Sequence, residues 1–244
     1  MLGVFEGEQL KVCWRVSTNW ERTEDELGVV FKNLFYHSEI SSENISHIII
    51  SSVVPPMLYS LEKMSKKYFG LVPLMVGPNI KSGMNILMDN PDEVGADRIV
   101  NAVAGYRLYG GPLIIVDFGT ATTYCAISEN GDYLGGAISP GISISTEALF
   151  ARAAKLPRVE LVPPPNIIGK NTINSMQSGI VYGFVGQVQS IVGKMKKEFS
   201  TEPFVVGTGG MAEVIAREAD IIDEVNNLLT LEGLRIIFEI NRNQ

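Results

Sequence analysis

A short apolar strand that runs directly into an acidic residue constrains this chain more than any other feature. Residues 113–123 read LIIVDFGTATT and follow the chain-breaking residues Gly110, Gly111 and Pro112. Four consecutive apolar residues bounded in this way are typical of a fully buried strand. Asp117 therefore comes at the end of a buried strand, where its carboxylate can hold a cation.

The loop after Asp117 has the composition of a phosphate-binding turn. Gly119 lets the main chain approach a ligand closely, and Thr120, Thr122 and Thr123 offer hydroxyl and N–H groups to phosphate oxygens. An ordinary hairpin turn is the competing interpretation, because Gly and Thr are common in turns. The chain has no GxxxxGKS/T motif and no GxGxxG motif between a strand and a helix, which argues against the Walker and Rossmann classes.

Composition and charge exclude several classes of protein. The 244 residues are 45% hydrophobic, which is enough to build the core of one large domain or two smaller ones. The net charge is −7 and the basic residues are scattered, so we expect no nucleic acid partner. No apolar run is long enough to cross a membrane and no signal peptide is recognisable, so we expect no membrane association and a cytoplasmic location.

The cysteine and histidine residues are too few for a disulfide framework or a zinc site. The chain contains Cys13 and Cys125 as its two cysteines, and His37 and His47 as its two histidines. None of their spacings matches a zinc motif. We therefore expect buried, inert thiols.

Apolar periodicity predicts two halves that each begin with strand hairpins and continue with alternating helices and strands. In the first half, Thr23 and Glu26 form a capping-box pattern that predicts a helix start. The repeated order predicts an α/β fold with domains at 1–110 and 111–244 and a cleft between them, as in actin-like and sugar-kinase ATPases. Strands are predicted near 2–5, 10–16, 45–52, 74–76, 113–117, 124–128, 133–138 and 204–206, and helices after 23, at 56–68, after 96, at 144–154, at 172–199 and from 211.

A second cluster, GADR at residues 95–98, precedes a helical run and follows the chain-breaking pair Asn90 and Pro91. Asp97 and Arg98 are therefore predicted to lie in the first turn of a helix, where the dipole favours an acid but not a cation. We expect Arg98 to have a specific anionic partner, such as a carboxylate, while Asp97 can accept a hydroxyl proton. A surface helix start with Asp97 as a dipole-compensating acid is the alternative.

Two further clusters have both a structural and a functional interpretation. Thr208, Gly209 and Gly210 follow the predicted strand 204–206, and their glycines can pack flat against adenine or simply form a strand-to-helix turn. Thr172 follows the sequence IGKN and is predicted to cap the next helix or to direct its hydroxyl at a substrate.

The order and spacing of the clusters are more specific than any one of them. The segments concerned are NPDEVGADRIVNA (90–102), IIVDFGTATT (114–123), GGAISPGI (135–142), AKLPRVE (154–160), IGKNT (168–172) and TGG (208–210). Together they resemble the type III pantothenate kinases over essentially the whole chain. The resemblance implies two RNase H-like domains of the actin-like ATPase superfamily, a homodimer, and ATP-dependent phosphorylation of pantothenate as the first step of coenzyme A synthesis.

The resemblance also implies roles for individual residues. Gly95, Ala96, Asp97, Arg98 and Thr172 would bind pantothenate, with Asp97 as the general base. Asp117 would bind a monovalent cation, K⁺ or NH₄⁺. The nucleotide is ATP with Mg²⁺, and the residues expected to bind it are Gly119, Thr120, Thr123, Gly209 and Gly210.

Two departures from the family pattern bear on activity. Members of the family begin with a strand that ends in an Asp, Gly, Asn, Thr loop for phosphate and Mg²⁺, whereas Met1 stands where that loop should have ended. We expect a truncation of about a dozen residues and a weak kinase in consequence. Met88 stands where the family commonly has a tyrosine that contacts pantothenate.

Two other functions stay open at this point. A non-catalytic accessory or regulatory relative would tolerate both departures, although Asp97, Arg98, Asp117 and Thr120 are retained. An actin-like-fold kinase for another small alcohol with a carboxylate would also use Arg98 in the same way.

Overall fold

The computed structural model describes residues 1–77, 80–153 and 155–242, which form a mixed α/β chain that divides into two compact units. The first unit comprises Met1–Gly83, Asn90–Ala104 and Thr230–Gln244, and the second comprises Met84–Asp89 and Gly105–Leu229. The predicted division after residue 110 is a single cut and differs from these discontinuous units. Its assignment to two RNase H-like domains stays a prediction.

The helices and strands of the described residues alternate along both units. The strands are β1 (Leu2–Glu6), β2 (Gln9–Trp14), β3 (Ile49–Ile50), β4 (Leu74–Met75), β5 (Leu113–Phe118), β6 (Ala121–Ile127), β7 (Tyr133–Pro140), β8 (Phe204–Gly209) and β9 (Glu224–Val225). The α-helices are α1 (Glu24–His37), α2 (Pro55–Phe69), α3 (Ala96–Tyr109), α4 (Ile142–Arg152), α5 (Thr172–Met195), α6 (Ala212–Ala216) and α7 (Leu229–Asn241). Short 3-10 turns occur at Ser42–Asn44, Pro91–Glu93 and Lys196–Glu198.

The capping box predicted at Thr23 is confirmed at the start of α1. Thr23 Oγ1 accepts a hydrogen bond from Glu26 N at 3.3 Å, and Glu26 Oε2 accepts one from Thr23 N at 2.8 Å. Both bonds satisfy donors that a helix start otherwise leaves without partners. The bonds from Thr23 lower the pKa of the Glu26 carboxyl, because they stabilise its charged form.

Helices α1 and α2 pack closely because one glycine leaves room for an aromatic ring. Gly28 is buried, and a Cβ atom at this position would lie 2.5 Å from the Tyr68 ring. The Tyr68 hydroxyl then reaches across to donate a hydrogen bond to Asp25 Oδ1 at 2.7 Å. Lys67 forms an ion pair with the same oxygen at 2.6 Å, so α1 and α2 are joined by apolar and polar contacts.

Helix α7 was not among the predicted elements, and it packs within the first unit. A Cβ atom at Gly233 would overlap the Val100 carbonyl oxygen, so α7 and α3 approach each other at their main chains. The Thr230 hydroxyl donates a hydrogen bond to Asn101 Oδ1 at 2.7 Å. The sequence signal that could have found it is the apolar spacing along residues 229–240.

The second unit is built on a five-stranded sheet in the order β7-β6-β5-β8-β9. Strand β5 pairs antiparallel with β6 and parallel with β8, and its residues Leu113–Val116 are fully buried. The prediction of a buried strand at 113–117 is confirmed. Helix α5 covers one face of the sheet through Val181, Val185, Val188 and Val192.

Most other predicted elements are confirmed, with different boundaries. The hairpin of β1 and β2 and the strands β6 and β7 form antiparallel pairs. The strand predicted at 45–52 is wrong in extent, because only Ile49–Ile50 pairs with a neighbouring strand. The helix predicted at 172–199 ends earlier, at Met195, and continues as a 3-10 turn. No helix in the described part of the chain is long and apolar enough to cross a membrane.

The capping box yields a stability prediction. Replacing Thr23 by Ala removes the acceptor for Glu26 N, and we expect a loss of about 1 kcal/mol in the free energy of unfolding. Thr23→Ser keeps a hydroxyl and serves as the matched control. Denaturant melts of the three proteins measure the difference, and equal stability of Thr23→Ala and its parent would contradict the assigned role.

Candidate functional site

The GADR segment lies where α3 begins, in the first compact unit. The Gly95 carbonyl accepts hydrogen bonds from Arg98 N at 3.0 Å and from Ile99 N at 3.2 Å. These bonds close the first turn of the helix, so Asp97 and Arg98 occupy that turn as predicted. Both side chains are half-buried and therefore partly accessible to a ligand.

The Asp97 carboxylate is folded back onto the start of the helix. Its Oδ1 accepts a hydrogen bond from Arg98 N at 2.9 Å. Gly95 permits this position, because a Cβ atom there would lie 2.6 Å from the same oxygen. The N-terminal end of a helix dipole also favours a negative charge at this point. The backbone therefore holds Asp97 in one orientation at the helix start.

Arg98 is anchored by a main-chain carbonyl. Its Nη2 donates a hydrogen bond to the Glu93 carbonyl oxygen at 3.0 Å. None of the ion pairs found among residues 1–77, 80–153 and 155–242 involves Arg98. A carbonyl orients a guanidinium without neutralising its charge, so Arg98 retains the capacity to bind an anion that the sequence predicts.

In the second unit, strand register gathers oxygen-bearing side chains at the end of β5. Asp117 is the direct partner of Thr123 on β6 and of Thr208 on β8. Direct partners on neighbouring strands have side chains on the same face of a sheet. A carboxylate and two hydroxyls therefore stand side by side on one face. Thr208 was noted in the sequence but not selected as a site residue.

Gly209 lies against Asp117 and needs the conformation of a glycine. Its φ of +93° lies in the left-handed region, which other residues rarely adopt. A Cβ atom at Gly209 would lie 2.5 Å from Asp117 Oδ1 and 2.8 Å from Phe118 N. Gly209 therefore leaves space that the Asp117 side chain occupies, and the exposed Gly210 continues the main chain into the turn before α6.

The loop between β5 and β6 is a tight turn that other main-chain groups support. Gly119 N donates to the Ala121 carbonyl at 3.1 Å, and Gly141 N donates to the Thr120 carbonyl at 3.1 Å. A Cβ atom at Gly141 would overlap the Gly119 and Thr120 carbonyl oxygens. Gly141 belongs to the GGAISPGI segment, for which the sequence alone indicates no individual role. Gly119 and Thr120 are exposed, so a ligand can reach both.

Of the three threonines that follow Gly119, the middle one is not accessible. Thr122 is fully buried, and its Oγ1 lacks a hydrogen-bond partner among the described residues. The interpretation of Thr122 as a phosphate ligand through its hydroxyl is therefore wrong for this conformation, because successive side chains on a strand point to opposite faces. Thr120 and Thr123 stay candidates.

Thr172 does not cap α5. The cap is Asn171, whose Oδ1 accepts a hydrogen bond from Asn174 N at 2.8 Å, and Thr172 is the first helical residue. The prediction of Thr172 as the cap is wrong because Asn171 provides a side-chain oxygen one residue earlier. The Thr172 side chain is exposed and lines an open pocket of about 550 Å³. The other lining residues are Leu156, Gly169, Lys170, Asn171, Ser175 and Met176.

Among residues 1–77, 80–153 and 155–242, no group of three or more His, Cys, Asp or Glu side chains is placed to hold a metal ion. Asp117 therefore stays a predicted cation ligand whose neighbours are hydroxyls.

Met88 is half-buried, and a Cβ atom at Gly135 would lie 3.2 Å from its Sδ, so Met88 packs against β7.

Two structural comparisons identify the fold. A Campylobacter jejuni protein assigned to the Baf family of transcriptional activators has a TM-score of 0.56 and 22% identity, covering 83% of this chain and 87% of that one. The activator of 2-hydroxyisocaproyl-CoA dehydratase from Clostridium difficile, with bound ADPNP, has a TM-score of 0.52 and 14% identity, covering 98% and 90%. At these identities the likeness concerns the fold alone, which is the α/β fold of the actin-like ATPases.

Sequence comparisons identify the family. The family model described as type III pantothenate kinase matches residues 1–194. A type III pantothenate kinase from Geobacillus kaustophilus (strain HTA426) is 59% identical over 241 residues, covering 99% of this chain and 93% of the relative. A second from Geobacillus sp. (strain WCH70) gives the same identity and coverage. The chain belongs to the type III pantothenate kinase family.

Proposed function

We propose that this chain catalyses the ATP-dependent phosphorylation of pantothenate to 4′-phosphopantothenate, the first step of coenzyme A biosynthesis. The observation that carries the proposal is the 59% identity, over 99% of the chain, to proteins named for this activity. The GADR geometry supports it, because a carboxylate and a guanidinium follow one another at a helix start. An alcohol that bears a carboxylate offers a partner to each group.

In this proposal Asp97 is the general base. The pantothenate hydroxyl oxygen forms a bond to the γ-phosphorus while the bond to the bridging oxygen breaks and ADP leaves. Asp97 accepts the hydroxyl proton during this step. Its orientation supports the role, since the bond from Arg98 N and the missing Cβ of Gly95 hold the carboxylate in place. None of the ion pairs among the described residues involves Asp97.

Arg98 binds the pantothenate carboxylate in the same proposal. Its Nη2 is occupied by the Glu93 carbonyl, and the remaining N–H groups of the guanidinium can form a bidentate pair with the acid. Gly95 and Ala96 add main-chain contacts at the helix start. Thr172 contributes its exposed hydroxyl from the open pocket at the start of α5.

The second unit binds ATP through the turn between β5 and β6 and the end of β8. Gly119 and Thr120 are exposed, and their main chain is fixed by neighbouring strands, which favours contact with phosphate oxygens. Thr123 adds a hydroxyl on the face that carries Asp117. Gly209 and Gly210 present main chain without side chains, which suits the planar adenine ring.

The oxygen atoms at the end of β5 fit a hard cation. Asp117, Thr123 and Thr208 offer a carboxylate and hydroxyls, and such ligands suit K⁺ or NH₄⁺ better than a soft metal. A monovalent cation bound there would reduce repulsion between the carboxylate and the phosphates. Mg²⁺ would enter with ATP, because it is usually held by substrate phosphates, waters and few protein ligands.

A homodimer in the cytoplasm completes the proposal. Strand β7 lies at the edge of the sheet, where Tyr133 at its start bridges to Ile86. Its residues Leu134 and Ile138 are exposed, the latter by 62%. An apolar edge strand is a surface that proteins commonly cover, and a second copy would do so. Neither cysteine forms a disulfide, which agrees with a reducing compartment. Cys125 is buried as expected, whereas Cys13 is exposed, so the expectation of a buried thiol is wrong there.

We predict that Asp97→Asn lowers turnover about 10²- to 10⁴-fold, because an amide cannot accept the proton. The fold should persist, since the Asn side-chain oxygen can still accept the hydrogen bond from Arg98 N. Coupled ADP release and mass detection of phosphopantothenate measure the reaction, and Asp97→Ala, which loses both functions, is the comparison. Near-normal kcat in folded Asp97→Asn would remove Asp97 from the mechanism.

Arg98→Lys should raise the KM for pantothenate about 10- to 100-fold, because a single ammonium cannot replace the guanidinium fork. The parent should also bind a neutral amide analogue of pantothenate far less tightly than the acid. Steady-state kinetics with both compounds measure this. If the KM for the acid equals the KM for the amide in both the parent and the variant, Arg98 does not recognise the carboxylate.

Replacing K⁺ by Na⁺ at constant Mg²⁺ should lower kcat, because the smaller ion fits a different arrangement of oxygen ligands. The Asp117→Asn variant should bind the cation weakly, so its kcat values in K⁺ and in Na⁺ should differ much less than those of the parent. Activity is measured at matched ionic strength. Equal rates of the parent in both salts would argue against a monovalent cation at Asp117.

A further inference from the structure

The 3-10 turn Pro91–Glu93 lies directly before α3, with Asn90 at its cap position. It brings the exposed residues Asn90 and Glu93 close to Arg98. Glu93 N donates to the Asn90 carbonyl at 3.2 Å, and Val94 N donates to the Pro91 carbonyl at 3.3 Å. Val94 is buried and fixes the exit of the turn in the first unit. The turn thus has a defined shape before the GADR segment begins.

The turn holds Arg98 through one main-chain atom. The Glu93 carbonyl oxygen accepts the hydrogen bond from Arg98 Nη2 at 3.0 Å. Because a guanidinium is rigid and planar, a single fixed acceptor restricts the plane in which its other N–H groups lie. The orientation of the Glu93 peptide therefore sets the direction in which Arg98 can present its remaining donors.

The side chains of the turn hold this peptide in place. Asn90 Nδ2 donates a hydrogen bond to Glu93 Oε1 at 2.9 Å. Asn90 stands at the cap position of the 3-10 turn, yet its side chain makes no capping bond to the main chain. Both residues are exposed, and so their bond adds little to the core. The bond does, however, involve the residue whose carbonyl oxygen Arg98 contacts.

We propose that the Asn90–Glu93 hydrogen bond makes these two positioning residues for Arg98, and that they sharpen recognition of a carboxylate on the acceptor. The inference rests on the proposed function, because it concerns the acceptor that Arg98 binds there. Neither residue touches the substrate in this account. Loss of the bond leaves Arg98 charged but lets its guanidinium plane vary, so affinity for the acid falls while the chemical step is unaffected.

The test compares Asn90→Ala, Glu93→Ala and the matched control Glu93→Gln in the full chain. Glu93→Gln removes the charge but keeps a side-chain oxygen that can accept from Asn90. We expect both Ala variants to raise the KM for pantothenate about two- to tenfold, the range of one hydrogen bond, with unchanged kcat and KM for ATP. Glu93→Gln should have the same KM for pantothenate as the parent. The double Ala variant should raise this KM no more than the single Ala variant with the larger effect.

A neutral amide analogue separates positioning from a structural role. The ratio of kcat/KM for pantothenate to that for the amide should fall in both Ala variants, with melting temperatures like that of the parent. Equal losses for acid and amide, a fall in kcat, or a Glu93→Gln variant as impaired as Glu93→Ala would each overturn the positioning role. If the parent itself does not phosphorylate pantothenate, the proposed function fails, and the positioning role falls with it. If the parent is active and all variants match it, only the positioning role is overturned.

Discussion

The pairing of β5 on both of its edges is the constraint on which the second unit depends. A strand with neighbours on either side has no free main-chain groups along its length, so its position is fixed by two ladders at once. Residues Leu113–Val116 add burial on both faces. Because β6 is antiparallel and β8 parallel to it, the start of one and the end of the other meet at Asp117. The location of the candidate cation ligands is thus a consequence of strand register.

A second common feature is that each candidate carboxylate lies beside a glycine. A Cβ atom would come within 2.6 Å of Asp97 Oδ1 at Gly95 and within 2.5 Å of Asp117 Oδ1 at Gly209. A side chain in place of the glycine would have a different structural consequence at each position. At Gly95 the conflict is with the flexible end of Asp97, so a larger residue would displace the carboxylate. At Gly209 the positive φ and the Phe118 main chain add strain, so the strand end itself would have to move.

Features with a local physical cause could be predicted from the sequence. The capping box at Thr23 involves residues three apart, and the helix start at Asp97 follows from a chain break and apolar spacing. Features that depend on distant partners could not. Strand β3 is short because only Ile49–Ile50 finds a neighbour in β4, and Thr122 is buried because α5 covers that face of the sheet. The choice of Asn171 over Thr172 as cap depended on a one-residue difference in where α5 begins.

The discontinuity of the first unit has a consequence for how the chain reaches its final state. Residues 105–229 form most of the second unit, and they leave the ribosome before the last piece of the first unit, which begins at Thr230. Since α7 packs against α3 at Gly233, the helix that begins with the GADR segment lacks one of its packing partners until α7 itself has been synthesised. A nascent chain can therefore complete its second unit while its first unit still exposes apolar surface.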